Sequence, residues 1–278
     1  DLNGFHVQDP GGDGDPSTSD GVFVYAPGGI DVSVGDLVRV RGPVSEFNGM
    51  TEVTAGQIWL CDSGYSVMST PLTLPVTSLD SFEPYEGMLV TFPQALVISE
   101  YFNFDRFGEI VLSSARQNQP TAVVEPGAPA IALTTQNLLD RITLDDGRTN
   151  QNPDPAIHPN GAVFDMTNLF RGGDTVANVT GVLDYSFDLY RIQPTQGADY
   201  TPANPRPPQP DDVGGNLKVA SFNVLNYFTT IDTGAFICGP AEDQECRGAD
   251  TPEELTRQRD KIIAALITIN ADVVGLIE

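Results

Sequence analysis

The stretch GDLVRVRG, residues 35–42, carries the clearest strand pattern in the chain. Val38 and Val40 alternate with Arg39 and Arg41, so an extended segment here has one apolar and one cationic face. A strand of this kind is half-buried, whereas strands buried on both faces are almost continuously apolar. The stretch therefore predicts a sheet that packs on one side and faces solvent on the other.

A related stretch, GDTVANVTG, occupies residues 173–181. In both places a Gly-Asp pair leads into a strand that ends at a glycine, and a bent strand and a hairpin partner follow. The corresponding later residues are Val44, Phe47 and 51–53 in the first copy, and Val182, Tyr185 and 190–192 in the second. A glycine within a strand commonly marks a bulge or the sharp bend of a small barrel. The repeat predicts two similar β units, and residues 86–92 are a candidate opening for the second.

Residues 1–200 contain further short apolar runs separated by Gly, Pro, Asn and Asp, a spacing typical of barrels and sandwiches. The clearest strand candidates are 21–25, 36–41, 51–54, 88–92, 109–112, 175–179 and 189–193. The polar stretch 145–160 predicts a long loop. We expect a mainly β fold with two OB-like small β-barrels, at 1–79 and 80–201, the second carrying this loop as an insertion.

The composition limits the class of protein. The 278 residues include 14 Lys and Arg against 38 Asp and Glu, which gives a net charge of −24. Only two of the basic residues are Lys, against twelve Arg, and this composition argues against a large basic surface for nucleic acid. A hydrophobic fraction of 40% excludes global disorder, and no apolar run is long enough to span a membrane. An acidic, Lys-poor chain suits a secreted protein that works in salt.

The pattern changes after residue 201. Residues 202–216 contain five prolines and a Gly pair, which predict a semi-rigid linker. A strand at 217–222 follows, and Thr251-Pro252-Glu253-Glu254 predicts the capped start of a helix. Its apolar face is expected to comprise Leu255, Ile262, Ile263 and Leu266. With the apolar strand 273–277, residues 217–278 predict the strand-helix-strand start of an α/β layered domain.

Both ends of the chain predict that it is a fragment. It opens without a signal peptide and already resembles a turn into a strand. It stops at Glu278, directly after the apolar strand 273–277. We therefore expect further sequence on the C-terminal side, which would complete the α/β domain.

Four motifs of the second part resemble the opening of the endonuclease/exonuclease/phosphatase superfamily, which has the DNase I-like α/β sandwich fold. They are VASFNVLN at 219–226, RGAD at 247–250, RQRDKI at 257–262 and ADVVGLIE at 271–278. The segments QDP at 8–10, TSDG at 18–21, VY at 24–25 and GDLVRVRG at 35–42 resemble, more closely, the large extracellular bacterial nucleases of the ExeM/NucH type.

This resemblance implies a metal centre of Mg²⁺ or Mn²⁺ at Asn223 and Glu278, which match the superfamily's ligand pair. It also implies a water activated by a His–Asp pair from later strands. His6 and His158 do not match those positions, so no catalytic residue lies within the fragment, which we expect to be inactive alone. The alternatives are that Asn223 caps a turn and that Glu278 is an ordinary exposed carboxylate.

Arg247 has two interpretations of equal weight. In the family-like RGAD it contacts a substrate phosphate, since Arg binds oxyanions with two parallel hydrogen bonds. Otherwise it forms a salt bridge with Asp250 or Glu242.

The three cysteines do not form a zinc site by spacing. Cys238 and Cys246 bracket an acidic loop and predict a short disulfide in a secreted chain, with two free thiols as the alternative. Cys61 is left over, either buried or paired outside this sequence.

Two features of the first part could bind ligands. Asp9, Asp13, Asp15 and Asp20 lie in one loop, which could hold Ca²⁺ or simply form solvated Asx turns. Arg39 and Arg41 share a strand face that could meet the phosphates of a nucleic acid, although residues 1–210 contain nine Arg, no Lys and 26 acidic residues.

The sequence thus predicts the N-terminal fragment of a secreted, metal-dependent phosphodiesterase, most simply an extracellular nuclease for DNA or RNA. One alternative is a phosphatase or phospholipase of the same superfamily. Another is a non-catalytic, acidic β module for adhesion or carbohydrate binding.

Overall fold

A computed structural model describes residues 3–278 and separates them into two compact units. The first unit ends at Pro205 and the second comprises Arg206–Glu278, so the boundary falls inside the predicted linker. Residues 202–216 contain neither helix nor strand. The protein is mainly β, with its strands in several sheets. Among residues 3–278, no helix is both long and apolar enough to cross a bilayer.

The first unit begins with six strands that we call repeat A. They are β1 (Gly4–Gln8), β2 (Gly21–Tyr25), β3 (Leu37–Arg41), β4 (Val44–Phe47), β5 (Met50–Thr54) and β6 (Gln57–Asp62). One sheet has the order β1-β2-β5-β4, in which only the β2–β5 pair is parallel. β3 and β6 form a separate antiparallel ribbon.

The rest of the first unit forms one nine-stranded sheet flanked by short helices. Its strands are β7 (Thr70–Pro71), β8 (Leu89–Phe92), β9 (Leu96–Glu100), β10 (Ile110–Ser113), β11 (Ile142–Leu144), β12 (Thr175–Ala177), β13 (Val179–Ser186), β14 (Leu189–Pro194) and β15 (Asp199–Thr201). The helices are a 3₁₀ segment (Leu79–Tyr85), α1 (Phe104–Phe107), α2 (Pro120–Val123) and α3 (Ala128–Leu139). We call β10–β15 repeat B.

The sheet order is β15-β12-β9-β10-β11-β14-β13-β8-β7. β8 and β9 lie five positions apart in this order, yet only residues 93–95 connect them, so the sheet must curl strongly. The main core lies inside the curl and includes Phe92, Leu96 and Ile192, all with no exposed surface.

The prediction of two small β-barrels needs correction. The nine-stranded sheet has two free ends, and repeat A is divided between a sheet and a ribbon, so no sheet in residues 3–278 closes into a hydrogen-bonded ring. The alternating pattern specifies strand faces but not ring closure, which depends on pairing between distant strands. β7 also pairs with β8 across the predicted boundary at residue 79.

The internal repeat is confirmed and extends over six strands. β10-β11-β14-β13 has the strand order and directions of β1-β2-β5-β4, and β12–β15 pairs as β3–β6 does. The equivalent hairpins are closed by two-residue turns whose residues have positive φ, Asn48-Gly49 in repeat A and Phe187-Asp188 in repeat B. A Cβ on Gly42 or Gly181 would lie 1.9 or 2.2 Å from the facing carbonyl oxygen, so both positions require glycine.

The predicted strand positions agree well with the structure where alternation is strong. β2 coincides with its prediction, and in β3 the two valines are half-buried and the two arginines exposed, as expected. The predicted loop 145–160 contains no helix and no extended strand. The strand expected at the start of the chain and the bent strand at Val44 and Phe47 correspond to β1 and β4, whereas the patterns did not reveal β6, β7, β9, β11 or β15.

The second unit contains β16 (Val219–Asn223), β17 (Phe236–Cys238), β18 (Gln244–Glu245), α4 (Pro252–Ile269) and β19 (Val273–Ile277). The Thr251 hydroxyl accepts a hydrogen bond from the Glu254 amide at 3.1 Å, which confirms the predicted helix start. β16 and β19 pair in parallel, with α4 between them in sequence. The predicted apolar face needs one correction, because Ile263 is 48% exposed while Gln258 is half-buried.

Candidate functional site

The predicted metal ligands lie at one edge of the β16–β19 pair. Asn223 is the last residue of β16 and pairs with Ile277, and Glu278 follows directly. Because the two strands are parallel, their carboxyl ends meet at the same edge, where α/β sheets bind ligands. Both residues are exposed. The structure therefore brings the two predicted ligands to one solvent-accessible place.

Asn223 also has the turn role that was its alternative interpretation. Its Oδ1 accepts a hydrogen bond from the Leu225 amide at 2.8 Å, and Leu225 and Asn226 have positive φ angles of 51° and 52°. An amide oxygen has a second lone pair, so this bond leaves one position for a cation. One carboxylate and one amide oxygen suit Mg²⁺, which keeps several waters. The pair fits such an ion in part, and no cluster of three His, Cys, Asp or Glu that could hold a metal occurs in residues 3–278.

Gln258 supports this edge, and sequence analysis did not identify it. Its Nε2 donates to the carbonyls of Val224 at 3.2 Å and Leu225 at 2.6 Å, directly after Asn223. Gln258 lies on α4, so the helix fixes the turn that follows β16. The sequence did contain a signal for this role, because position 258 lies on the core-facing side of the helix but is occupied by a polar residue.

Arg247 lies next to the same turn. Gly248 approaches it so closely that a Cβ there would lie 3.0 Å from the Asn226 carbonyl oxygen. Arg247 is exposed and forms no salt bridge with Asp250 or Glu242, so its interpretation as a salt-bridge residue is wrong. Its guanidinium is available to an anion.

The predicted disulfide is present between Cys238 and Cys246, which join β17 to β18 just before Arg247. The bond thus anchors the segment that carries Arg247. Cys61 is exposed, so of its two expected roles burial is wrong, and pairing outside this sequence stays a prediction.

The four loop aspartates hold their own loop together. Asp9 accepts from the Gly11 amide, Asp13 from the Asp15 amide and Asp20 from the Asp13 amide, at 2.8, 2.8 and 3.0 Å. Asp15 accepts from the amide and hydroxyl of Ser17, which lower the pKa of its carboxyl. These are the Asx turns of the alternative interpretation, and calcium binding stays a prediction.

The cationic face of β3 includes an aromatic residue that the sequence analysis overlooked. Antiparallel register places Trp59 of β6 opposite Arg39 and Gln57 opposite Arg41, so all four share one face of the ribbon. Trp59 is the only tryptophan and is 43% exposed. Cations beside an exposed indole form a surface on which bases or sugars can stack.

A buried cluster of ionisable groups, also not anticipated, lies between repeats A and B. His6 Nε2 is 4.0 Å from Asp184 Oδ1, and both atoms are buried without a hydrogen bond. Burial lowers the pKa of His6, and the nearby Asp184 charge opposes this shift. Glu86 accepts from the Thr51 amide at 2.9 Å, and its burial, with repulsion from neighbouring acids, raises its pKa to about 7.

The Glu86→Gln variant should be more stable than the wild type at pH 8 by about 1–3 kcal/mol. Glu86 ionises at an ordinary pKa in the unfolded chain but near 7 in the folded one, so wild-type stability falls as pH rises between these values. Glutamine stays neutral, so the difference should nearly vanish at pH 4. Urea unfolding at several pH values measures it, with the exposed Glu125→Gln as control. A gain independent of pH would contradict this explanation.

Comparison with known proteins gives one match. A family model described as a domain of unknown function, DUF8508, matches residues 51–204, which is more than half of the chain and lies within the first unit. No curated protein and no solved structure matches the sequence. The chain therefore belongs to the DUF8508 family.

Proposed function

We propose that this chain is the N-terminal part of a secreted, metal-dependent phosphodiesterase, most simply an extracellular nuclease for DNA or RNA. The observation that carries the proposal is the parallel β16-α4-β19 arrangement, which has Asn223 and Glu278 at one edge and Arg247 beside it. This is the arrangement expected at the start of a DNase I-like domain.

In this proposal Asn223 and Glu278 hold Mg²⁺ or Mn²⁺ together with residues outside the chain. The ion would stabilise the negative charge that develops on the phosphate during hydrolysis. Arg247 would bind a substrate phosphate, because its guanidinium is exposed and forms no salt bridge in the described part of the chain. The Cys238–Cys246 disulfide supports secretion, since such bonds persist in oxidising compartments.

For the first unit we propose OB-type connectivity. If β8 and β9 are two halves of one bent strand, then β10, β11, β13 and β14 follow it with the OB order and its single parallel pair. The short connection at 93–95 supports treating β8 and β9 together. OB folds bind single strands and oligosaccharides, so this unit would hold substrate rather than cleave it.

The face formed by Arg39, Arg41 and Trp59 is our candidate for this contact. The same face favours one further candidate function, a carbohydrate-binding module, because indole also stacks on sugars. A phosphatase or phospholipase of the same superfamily differs only in specificity loops beyond this chain.

Replacing Trp59 by leucine should weaken binding of single-stranded DNA about tenfold, because stacking on an aromatic side chain contributes ~1–3 kcal/mol per base. Fluorescence anisotropy of a labelled oligonucleotide measures this with Mg²⁺ present, and the equally aromatic, 85% exposed Phe102→Leu serves as the matched control. Because the chain carries a charge of −24, we expect little binding in EDTA at physiological salt. Micromolar binding in EDTA would contradict the charge argument. An equal loss of affinity in Trp59→Leu and Phe102→Leu would contradict the assignment of this face as the binding surface.

Hydrolysis of plasmid DNA by the longer protein, with Mg²⁺ and with EDTA, tests the proposed activity itself. Cleavage that requires the metal supports a phosphodiesterase. A protein that binds oligosaccharides and leaves DNA intact would favour the binding module.

A further inference from the structure

Repeat A contacts the nine-stranded sheet at the start of β8, through a set of hydrogen bonds that we call the docking contact. The Ser19 hydroxyl donates to the Glu86 carbonyl, and the Thr51 amide donates to Glu86 Oε1 at 2.9 Å. The Leu89 amide donates to Gln8 Oε1 at 2.8 Å. Glu86 therefore joins two separate segments of repeat A to the sheet, one through its backbone and one through its side chain.

The two backbones approach each other closely beside Glu86. A Cβ on Gly21 of β2 would lie 2.4 Å from the carbonyl oxygen of Gly87, which is closer than side chains are found. Glu86 is 7% exposed, and Asp184 on β13, the strand that pairs with β8, is 2% exposed. The docking contact therefore encloses two acidic side chains in a place with little access to water.

The charges that act on Glu86 come from acidic residues. Glu83 lies on the 3₁₀ segment, Glu46 on β4 and Asp184 on β13. Burial is the main cause that raises the pKa of Glu86 to about 7, repulsion from these three acids adds to it, and the Thr51 amide opposes it. Ionisation of Glu86 is therefore less favourable in the docked state than in water.

His6 is the basic residue of this cluster. Its Nε2 lies 4.0 Å from Asp184 Oδ1, and Asp36 lines the same cavity as His6. Burial lowers the pKa of His6, although the Asp184 charge opposes this shift, so the imidazole is mainly neutral at pH 7. The imidazole therefore supplies little positive charge to offset Glu86 when that carboxyl ionises.

We infer that the docking contact is a proton-sensitive switch, which protonation of Glu86 closes and ionisation of Glu86 loosens. An ionised Glu86 in the closed state is buried beside the acidic Asp184, whereas the open state hydrates the charge. The proton therefore acts as a ligand of the closed state and shifts the population toward it. The switch concerns how repeat A is held within the first unit, and it does not depend on the phosphodiesterase activity.

The direction and size of the effect follow from the two ionisation equilibria of Glu86. Its pKa has the ordinary value of 4.5 when the side chain is exposed and is about 7 in the closed state. The contact is therefore strongest in acid, weakens as pH rises between these two values, and changes little above pH 7. This difference corresponds to a weakening of up to about 300-fold. His6 acts in the opposite direction, because its lowered pKa favours the open state as pH falls below 6.5.

Hydrogen exchange of the intact chain, followed by NMR from pH 4.5 to 8 and expressed as protection factors, tests the switch. The amides of Thr51 and Leu89 report on the docking contact because their hydrogen bonds cross it. The Ile98 amide donates to the Asp174 carbonyl at 2.9 Å and serves as an internal reference. Opening of the docking contact alone should change exchange at the first two amides and leave the third unchanged.

The Glu86→Gln variant keeps the shape of the side chain but stays neutral at every pH. His6 titrates in both proteins, so the ratio of protection factors, wild type over variant, isolates the contribution of Glu86. We expect this ratio to fall at least about tenfold between pH 4.5 and 7.5 at Thr51 and Leu89. The exposed Glu125→Gln is the matched control and should follow the wild type.

A ratio that does not change with pH would overturn the proposal. An equal fall at Ile98 would also overturn it, because the whole first unit would then open rather than the docking contact. The carbon-13 chemical shift of the Glu86 carboxyl gives a second measure in the wild type, which serves even where Glu86→Gln fails to fold. A titration midpoint near 7 supports the switch, and a midpoint near the ordinary 4.5 overturns it.

Discussion

The Arg191→Met variant is expected to lose about 3–5 kcal/mol of unfolding free energy at pH 7. Arg191 is 3% exposed, and its Nη1 donates to Asp145 Oδ2 at 2.7 Å and to Glu109 Oε1 at 2.8 Å. Methionine fills a similar volume but leaves the buried Asp145 and the half-buried Glu109 without their cation. An uncompensated buried charge is far more costly than a lost surface pair.

Urea unfolding followed by circular dichroism measures this loss. The exposed Arg116→Met is a matched control and should change the free energy by less than about 0.5 kcal/mol. Burial already raises the pKa of Asp145, and Arg191 opposes this shift. Removing Arg191 should raise that pKa further, so stability is retained at low pH and lost as pH rises. A loss below about 1 kcal/mol, or one that grows toward acidic pH, would contradict the buried network.

Local patterns predicted the parts of the fold that local physics determines. The alternation at 37–41 specifies which face of β3 is buried, because successive side chains of a strand point to opposite sides. Thr251 specifies the start of α4, because its hydroxyl accepts a hydrogen bond from the Glu254 amide, which the helix leaves free. The Gly-Asp and Gly signals of the repeat were visible because Gly42 and Gly181 each face a carbonyl too close for a side chain.

Features that depend on distant strands could not be predicted in this way. β9 was missed because its residues 96–98 are consecutively apolar in sequence, although in the structure 96 and 98 are buried completely and 97 only in part. The ion-pair network joins Arg191 to Glu109 and Asp145. These residues come from three separate segments, so no regular spacing in the sequence predicts their contact. In repeat A the residue at the register position of Arg191 is Glu52, so the repeat did not predict a buried cation there.

The candidate metal edge was predicted more completely than the binding face. Asn223 and Glu278 follow strands whose ends the sequence indicated, so their common edge depends only on parallel pairing. Trp59 was missed because β6 has no regular pattern, and only its register with β3 places it beside Arg39. Gln258 was assigned to an outer face of α4, although its amide bonds two carbonyls after Asn223.

The Glu278→Gln variant of the longer protein gives the most direct measure of the proposed metal centre. We expect plasmid hydrolysis in Mg²⁺ or Mn²⁺ to fall at least about 100-fold, because glutamine keeps the shape but removes the carboxylate that we propose as a ligand of the ion. Folding should be unaffected, since Glu278 is exposed. The exposed Glu253→Gln on α4 is the matched control and should retain full activity.

The deciding measurement is therefore the rate of plasmid cleavage by wild type, Glu278→Gln and Glu253→Gln, each with Mg²⁺ and with EDTA. The account predicts cleavage by the wild type and the control only, and only with the metal. Activity of Glu278→Gln within a few-fold of wild type, or wild-type cleavage in EDTA, would contradict the assignment of Glu278 as a metal ligand.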